Sequence, residues 1–304
     1  MYLTKKLLQK HLAALLLLLG CCVQLNSQSM QKPVFDWQGH RGARGLVPEN
    51  TIPSFLKALE FPSVTTLELD LAVSKDNILI VSHEPWMSEA ICSKPGGSPV
   101  TKDEAMGIKI MELTYEEIKQ YDCGSRGNAR FPEQVPLAVH KPSLSDVVDE
   151  VKKYCSMRNM PLPHFNIEIK SRPEGDGLFT PPIGEFAGLV VGEVKRLGIA
   201  DRSCIQSFDV RALQAVKALD PGLTLALLVE NLDSPQKNIE RLGFKPDIYS
   251  PYYLLLKKKR VAELQQQGIR VIPWTVNTVK AMKKLIRMGV DGIITDYPNL
   301  ISAL

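Results

Sequence analysis

The pattern of hydrophobicity along this chain constrains its fold more than any other feature, because short apolar runs alternate with amphipathic segments. The apolar runs are typical of buried β-strands and occupy residues 34–38, 66–72, 165–170, 204–208, 224–229, 247–250, 270–275 and 292–295. Amphipathic helices are predicted at residues 51–60, 143–155, 184–197, 209–218, 235–242, 257–267 and 278–288. Eight strands that alternate with helices favour an α/β fold, a TIM-type (β/α)8 barrel with a parallel sheet.

One region interrupts this alternation. The turn at residues 74–77 predicts a hairpin after the second strand, and turn-forming residues then dominate from His83 to Lys141, with a helix predicted only at 115–121. A segment of this length without regular structure is usually functional or a small subdomain. We therefore predict one barrel domain over residues 34–304, with a small insertion at residues 84–140 after the second-strand hairpin.

The N-terminus has the composition of a targeting segment. Lys5, Lys6 and Lys10 precede an apolar run at residues 12–19 that is too short to span a membrane, so residues 1–28 are predicted to be a signal peptide. Residues 18–21, Leu-Leu-Gly-Cys, resemble a bacterial lipoprotein cleavage site, which would make a lipidated Cys21 the mature N-terminus. Ordinary cleavage near Ser27 is the alternative. Either way we expect an exported protein, periplasmic or membrane-anchored as a lipoprotein.

The charge of the chain argues against a nucleic-acid partner. The formal net charge is +4, and it falls to +1 without the three lysines of residues 1–20. The basic run at residues 257–260, Lys-Lys-Lys-Arg, lies at the start of a predicted helix. A solvated helix face is the ordinary interpretation of such a run, and an anionic surface partner is the alternative. A membrane contact is otherwise expected only through the N-terminal lipid.

The cysteines do not form a metal-binding pattern. The chain has 6 cysteines and no Cys-x-x-Cys pair, so a structural zinc site is not expected. In an oxidising compartment Cys92 and Cys123 could form a disulfide across the insertion, or both could remain free.

Polar residues lie at the ends of the first three main strands. His40 follows the first strand, Glu68 and Asp70 share one face of the second, and Glu168 and Lys170 share one face of the third, because side chains alternate along a strand. Barrel enzymes place their chemistry at the carboxyl ends of the strands, so these side chains should converge. Three carboxylates suit a hard divalent cation. Solvated acidic strand faces and a simple Glu-Lys ion pair are the alternatives.

Several short motifs in order give the chain a specific resemblance. The motifs are His40-Arg41-Gly42-Ala43, Pro48-Glu49-Asn50-Thr51, Glu68-x-Asp70, His83 after an apolar strand, Phe165-Asn166-Ile167-Glu168-Ile169-Lys170, Gln206-Ser207-Phe208, Pro273-Trp274-Thr275-Val276-Asn277 and residues 291–298. With these motifs the chain resembles the glycerophosphodiester phosphodiesterase family from about residue 35 to the C-terminus.

The resemblance implies a role for each candidate site residue. Glu68, Asp70 and Glu168 would bind Ca²⁺ or Mg²⁺, and His40 and His83 would be the general acid and base. Arg41 and Lys170 would contact phosphate oxygens. The remaining candidates for substrate binding are Glu49, which would orient Arg41, touch the cation or cap a helix, Gln206, which would hydrogen-bond the substrate, and Trp274, which would form an apolar wall or belong to the core. The chain has Glu84 after His83, where the family often has aspartate.

The implied activity is hydrolysis of glycerophosphodiesters to sn-glycerol 3-phosphate and an alcohol. The sequence leaves open which histidine is the acid, and whether the nucleophile is water or a neighbouring hydroxyl of the substrate. A phospholipase-type or lysolipid phosphodiesterase on the same barrel is one alternative. A non-catalytic barrel that binds phosphorylated glycerol is another.

Overall fold

The structure, a computed structural model, describes residues 35–304. Eight strands run parallel in one sheet, and their bounds are Asp36–Gly39 (β1), Val64–Val73 (β2), His164–Ile169 (β4), Ser203–Ser207 (β5), Thr224–Val229 (β6), Ile248–Pro251 (β7), Arg270–Val271 (β8) and Gly292–Thr295 (β9). Their order in the sheet is β8-β7-β6-β5-β4-β2-β1-β9. The short β3, Leu79–Val81, pairs antiparallel with β2 and completes the predicted hairpin.

Backbone hydrogen bonds between the two ends of the sheet bring it close to a full ring. The N–H of Asp291 donates to the carbonyl oxygen of Val271 at 2.9 Å, and the N–H of Ile294 donates to that of Pro273 at 3.0 Å. The N–H of Val276 donates to the carbonyl oxygen of Ile294 at 2.9 Å. The predicted TIM-type barrel is therefore confirmed. The strand expected over residues 270–275 is shorter than predicted, since Pro273 has no N–H to donate to a ladder.

Five of the seven helices between the strands begin where the sequence offers a side-chain cap. The side chains of Thr51, Ser143, Asp209, Ser234 and Thr278 each accept a hydrogen bond from a backbone N–H in the first turn of the following helix. The barrel helices are α1 (Ile52–Leu59), α4 (Leu144–Met157), α5 (Ile183–Arg196), α6 (Val210–Leu219), α7 (Pro235–Leu242), α8 (Lys258–Gln266) and α9 (Val279–Met288). The insertion contributes the short α2 (Lys102–Ala105) and α3 (Tyr115–Ile118).

Strand β2 shows how the alternation of side chains separates core from site. Leu67, Leu69 and Leu71 are fully buried in the apolar layer between sheet and helices, together with side chains such as Phe55 and Phe165. The acidic residues between those leucines point to the other face, into the barrel. The burial of the leucines therefore determines the direction of the carboxylates.

The insertion has a small core of its own. Met87, Ile110 and Ile118 are buried there, and Cys92 forms a disulfide with Cys123. The sequence left the pairing of these two cysteines open, and the structure contains it. It joins the first half of the insertion to the second half, which runs along the mouth of the barrel.

The predicted signal peptide and Cys21 lie outside the described residues, and export with lipidation stays a prediction. Within residues 35–304, no helix combines the length and the apolar composition needed to cross a bilayer.

Candidate active site

A tight turn after β1 brings the first site residues together. A Cβ on Gly39 would lie 2.4 Å from the carbonyl oxygen of Gly42, and Gly42 has φ +83°, so both positions require glycine. Arg41 between them adopts φ 50°, a left-handed conformation that costs energy for a residue with a side chain. The turn aims the backbone N–H of Arg41 at Oε2 of Glu68, 2.9 Å away.

Three carboxylates converge inside the barrel at the carboxyl ends of β2 and β4. The register of the two strands places Asp70 directly opposite Glu168. Glu68, Asp70 and Glu168 are all buried, and each contributes an oxygen to a group whose members lie within 4.8 Å of one another. The three candidate metal ligands are therefore brought together.

Protein donors hold one side of the cluster. The side-chain N–H of Gln206 donates to Oε1 of Glu68 at 2.8 Å, and its own Oε1 accepts a hydrogen bond from Asn166 at 3.0 Å. Gln206 is nearly fully buried. In the structure its amide therefore orients Glu68.

The other two carboxylates have cationic or amide partners. Asn50 donates to Oδ2 of Asp70 at 2.9 Å, Nε of Arg41 lies 3.1 Å from the same oxygen, and Nζ of Lys170 lies 2.9 Å from Oε1 of Glu168. Oδ1 of Asp70 is buried and has no hydrogen-bond partner among the described residues. A buried carboxylate oxygen of this kind suits a cation ligand.

The electrostatics of the cluster also fit a cation. Burial, followed by the charges of Asp70 and Glu168, raises the pKa of Glu68 well above its ordinary range. Burial likewise raises the pKa of Glu168, against the opposing effect of Lys170. Three crowded carboxylates repel each other, and a divalent ion relieves that repulsion. The donor set is oxygen alone, which Ca²⁺ and Mg²⁺ prefer.

His40 is oriented by a carboxylate that sequence analysis did not select. Its Nδ1 lies 2.6 Å from Oδ1 of Asp296, and its Nε2 lies 3.8 Å from Oε2 of Glu68. Burial alone would raise the pKa of Asp296, but His40 and Arg44 hold it well below its ordinary value. An ionised Asp296 accepts the hydrogen bond, so Nδ1 carries the proton and Nε2 faces the carboxylate cluster. Burial and the charge of Arg44 lower the pKa of His40 to about 4.

Asp296 has further buried partners. Nε and Nη2 of Arg44 donate to its two oxygens at 2.8 and 3.2 Å, and Nδ2 of Asn277 donates to Oδ2 at 2.6 Å. Asn277 and Asp296 lie in the motifs at residues 273–277 and 291–298 but were given no individual role, and Arg44 directly follows the motif at residues 40–43. The structure shows that the three motifs meet at His40.

A carboxylate also orients the second histidine, His83. Its Nδ1 lies 2.8 Å from Oε1 of Glu84. Burial would raise the pKa of Glu84, but the hydrogen bond and charge of His83 lower it to about 2, so this carboxylate accepts. The backbone of Glu84 is held as well. The buried Lys141 donates to the hydroxyl of Ser82, and this hydroxyl donates to the backbone carbonyl of Glu84. Glu84 thus supplies a carboxylate partner to His83, although its side chain is longer than that of the aspartate which the family often has at this position.

Glu49 bridges two arginines beside the cluster. Nη1 of Arg41 donates to its Oε1 at 2.6 Å, and Nη1 of Arg44 lies 3.7 Å from its Oε2. Burial would raise the pKa of Glu49, but both arginines together hold it below the ordinary value. The cap of α1 is Thr51. Glu49 was expected to orient Arg41, to touch the cation or to cap a helix. The structure contains the contact with Arg41.

A cavity of about 550 Å³ opens over these groups. Most of the predicted site residues line it, while Asp70 lies behind the wall. The insertion contributes seven residues to the lining, which are Glu84, Ser88, Ala90, Ile91, Asn128, Arg130 and Phe131.

Aromatic rings form one wall of this cavity. Phe208 packs edge-on against Trp274 with ring centroids 5.4 Å apart, and Tyr252 packs on the other side at 5.6 Å. Nε1 of Trp274 donates to the carbonyl oxygen of Ser250 at 2.8 Å, which fixes the indole. Trp274 is half-buried and lines the cavity, so it belongs to both the wall and the packing beneath it.

Comparison with known proteins gives the family. The model of the glycerophosphoryl diester phosphodiesterase family matches residues 40–300. The chain belongs to this family. A glycerophosphodiester phosphodiesterase from Caldanaerobacter subterraneus subsp. tengcongensis is 31% identical over 265 residues, which cover 86% of this chain and 94% of the relative.

Solved structures agree with the fold. The crystal structure of a candidate glycerophosphoryl diester phosphodiesterase from Silicibacter pomeroyi is 29% identical, with a TM-score of 0.76 over 88% of this chain and 91% of that one. An Oleispira antarctica phosphodiesterase, solved with the product sn-glycerol-3-phosphate, is 23% identical, with a TM-score of 0.69 over 88% of this chain and 95% of its own. At that identity the second likeness supports the fold alone.

Proposed function

We propose that this protein hydrolyses glycerophosphodiesters to sn-glycerol 3-phosphate and an alcohol, and that it requires a divalent cation. One observation carries the proposal: three buried carboxylates lie beside a cavity that is also lined by two histidines, each oriented by a carboxylate of its own. Membership of the family and the names of the curated relatives support the same activity.

The residues that would hold the cation are Glu68, Asp70 and Glu168. A bound Ca²⁺ or Mg²⁺ would supply Lewis-acid polarisation of a phosphoryl oxygen. The carboxylates have buried partners that keep them in place, so the cluster is organised by the protein itself.

Two positively charged side chains would contact the phosphate of the substrate. Arg41 and Lys170 line the cavity beside the carboxylates. During attack on a phosphodiester, negative charge grows on the non-bridging oxygens, and donors fixed in advance stabilise that charge. Because both side chains are held by acidic neighbours, they need little rearrangement to do so.

The two imidazoles would move the protons. Nδ1–H of His40 donates to Asp296, and Nδ1–H of His83 donates to Glu84. Nε2 of each ring would therefore be the nitrogen that exchanges a proton with the substrate or the nucleophile. One histidine would take a proton from the nucleophile and the other would protonate the leaving alkoxide, and each step is worth roughly 10²- to 10⁴-fold in rate. The nucleophile is water or a neighbouring hydroxyl of the substrate.

The experiment is release of glycerol 3-phosphate from glycerophosphocholine by the purified protein. Activity should disappear with a chelator and return with Ca²⁺ or Mg²⁺. His40→Ala and Glu68→Ala are the matched variants, and both should fold and fail to turn over. If a folded protein cleaves no glycerophosphodiester with any of these cations, the proposed function is wrong. Cleavage of lysophosphatidylcholine instead would favour the lysolipid alternative.

A further inference from the structure

Consecutive loops at the mouth of the barrel expose large apolar side chains. Leu178 follows β4 and is 47% exposed, Phe208 follows β5 and is 41% exposed, Leu232 follows β6 and is 92% exposed, and Leu254 follows β7 and is 65% exposed. The carboxyl ends of parallel strands lie at one end of a barrel, so these loops share the face that carries the cavity. A series of this kind marks an interaction site more often than scattered single residues do.

Two of these leucines share one groove with basic residues. Leu232 and Leu254 line a groove of about 360 Å³ together with Lys257 and Arg260. The groove adjoins the active-site cavity, because Pro251 lines the groove and the next residue in the chain, Tyr252, lines the cavity.

A run of basic residues borders this groove. Residues 257–260, Lys-Lys-Lys-Arg, are all exposed. Glu263 lies 3.7 Å from Lys259 and 2.8 Å from Arg260, whereas Lys257 and Lys258 have no ion pair within residues 35–304. The run therefore keeps an excess of positive charge.

Acidic residues nearby do not cancel this charge. Asp233, next to Leu232, forms ion pairs with Lys237 and Arg241. Glu230 is exposed at the end of β6 and is outnumbered by the lysines. The groove thus combines apolar side chains with net positive charge.

We propose that this docking surface, comprising Leu178, Phe208, Leu232, Leu254 and residues 257–260, binds an anionic lipid bilayer. The leucines enter the boundary between headgroups and acyl chains, and the ammonium groups meet lipid phosphates, as in other interfacial proteins. Docking turns the mouth of the cavity toward the membrane. Vesicle binding can be measured without turnover, so the test of this proposal is independent of the test of the proposed function.

Co-sedimentation with sucrose-loaded vesicles tests the docking surface. Residues 35–304 form one compact unit that contains the barrel and its described core. This fragment is suited to the test because the apolar residues 12–19 could bind vesicles by themselves. The vesicles are equimolar phosphatidylglycerol and phosphatidylcholine, or phosphatidylcholine alone. The fragment should bind the anionic vesicles, and added salt should weaken the binding.

The first variant removes charge. Lys257→Gln, Lys258→Gln and Lys259→Gln together should lower the partition coefficient on the order of a hundredfold, since each lysine near an anionic surface contributes roughly fivefold. The control is Lys283→Gln, Lys284→Gln and Arg287→Gln, an equal change in charge on exposed positions of α9. It should bind like the wild type.

The second variant removes apolar surface. Leu232→Ser with Leu254→Ser should lower the partition coefficient at least about tenfold. Leu219→Ser with Met157→Ser changes exposed apolar residues at the ends of α6 and α4 and should have little effect. Hydrolysis of a soluble diester should be unchanged in all four variants.

Three results would overturn the proposal. The first is absence of binding to anionic vesicles at low ionic strength. The second is equal binding by the docking-surface variants and their controls. The third is self-association of the fragment that the leucine variant abolishes while vesicles stay unbound, which would make the surface a contact between copies.

Discussion

Replacement of Asp296 by asparagine tests how the site controls His40. The change keeps the size of the side chain and removes its charge. In the structure Oδ1 of Asp296 accepts a hydrogen bond from Nδ1–H of His40 at 2.6 Å. An asparagine amide can donate to Nδ1 instead, which would move the ring proton to Nε2, the nitrogen that faces the carboxylate cluster.

The expected loss in kcat is about 10²- to 10⁴-fold, the range for a misoriented general acid or base. A loss in stability accompanies it, because the buried guanidinium of Arg44 loses its bidentate partner. Glu49, 3.7 Å from Arg44, offsets part of this loss. We expect the free energy of unfolding to fall by about 1–3 kcal/mol.

The assay measures kcat and KM on glycerophosphocholine at saturating cation, thermal unfolding, and cation affinity by titration calorimetry. Asp296 does not contact the carboxylate cluster, so the cation affinity and KM should change little. Asp209→Asn is the matched control: Asp209 is also buried after a strand and pairs with Arg211 at 2.6 Å, outside the cavity lining. It should lose stability and keep kcat. Wild-type kcat in Asp296→Asn, or an equal loss in both variants, would refute the reasoning.

Three further predictions concern the cation, the acid and the insertion. Glu68→Gln should weaken cation binding at least about tenfold, measured by calorimetry, because it removes one charge of the cluster; unchanged affinity would contradict the ligand assignment. His40→Ala and His83→Ala should both lose about 10²- to 10⁴-fold in kcat on glycerophosphocholine. A p-nitrophenyl diester, whose leaving group needs no proton, should restore much of the rate only to the variant that lacks the acid; recovery in neither would exclude both as acid. Replacing Cys92 and Cys123 by serine should lower the free energy of unfolding by about 3–4 kcal/mol, for a loop closed over a separation of 31 residues. Denaturant unfolding tests this, and equal stability of the variant and the oxidised wild type would count against it.

The strands and helices of the barrel were predictable because their signals are local. Alternation in β2 and caps such as Ser143 and Thr278 act within a few residues of the elements they define. The prediction placed Trp274 on a strand, whereas β8 ends at Val271, since the missing N–H of Pro273 outweighed the apolar pattern.

The candidate metal ligands were predictable for a similar reason. Glu68 and Asp70 are two residues apart, which in a strand places them on one face, and Glu168 occupies the same position on the next parallel strand. The roles of Arg44 and Asp296 were not predictable in this way, since 256 residues separate His40 from Asp296. Nothing in the local pattern of either segment indicates that they are neighbours.

The sequence by itself determined the barrel class, the direction of the carboxylates and the family, because periodicity, spacing and motif order are properties of short segments. The tertiary structure decided which partner each group has. The pairing of β1 with β9 brings Asp296 to His40, and the segment that follows the insertion brings Lys141 to the hydroxyl of Ser82, which donates to the backbone carbonyl of Glu84. The contact of Asp296 with His40 sets the tautomer of that histidine, and it depends on a distance that exists only after β1 and β9 have paired.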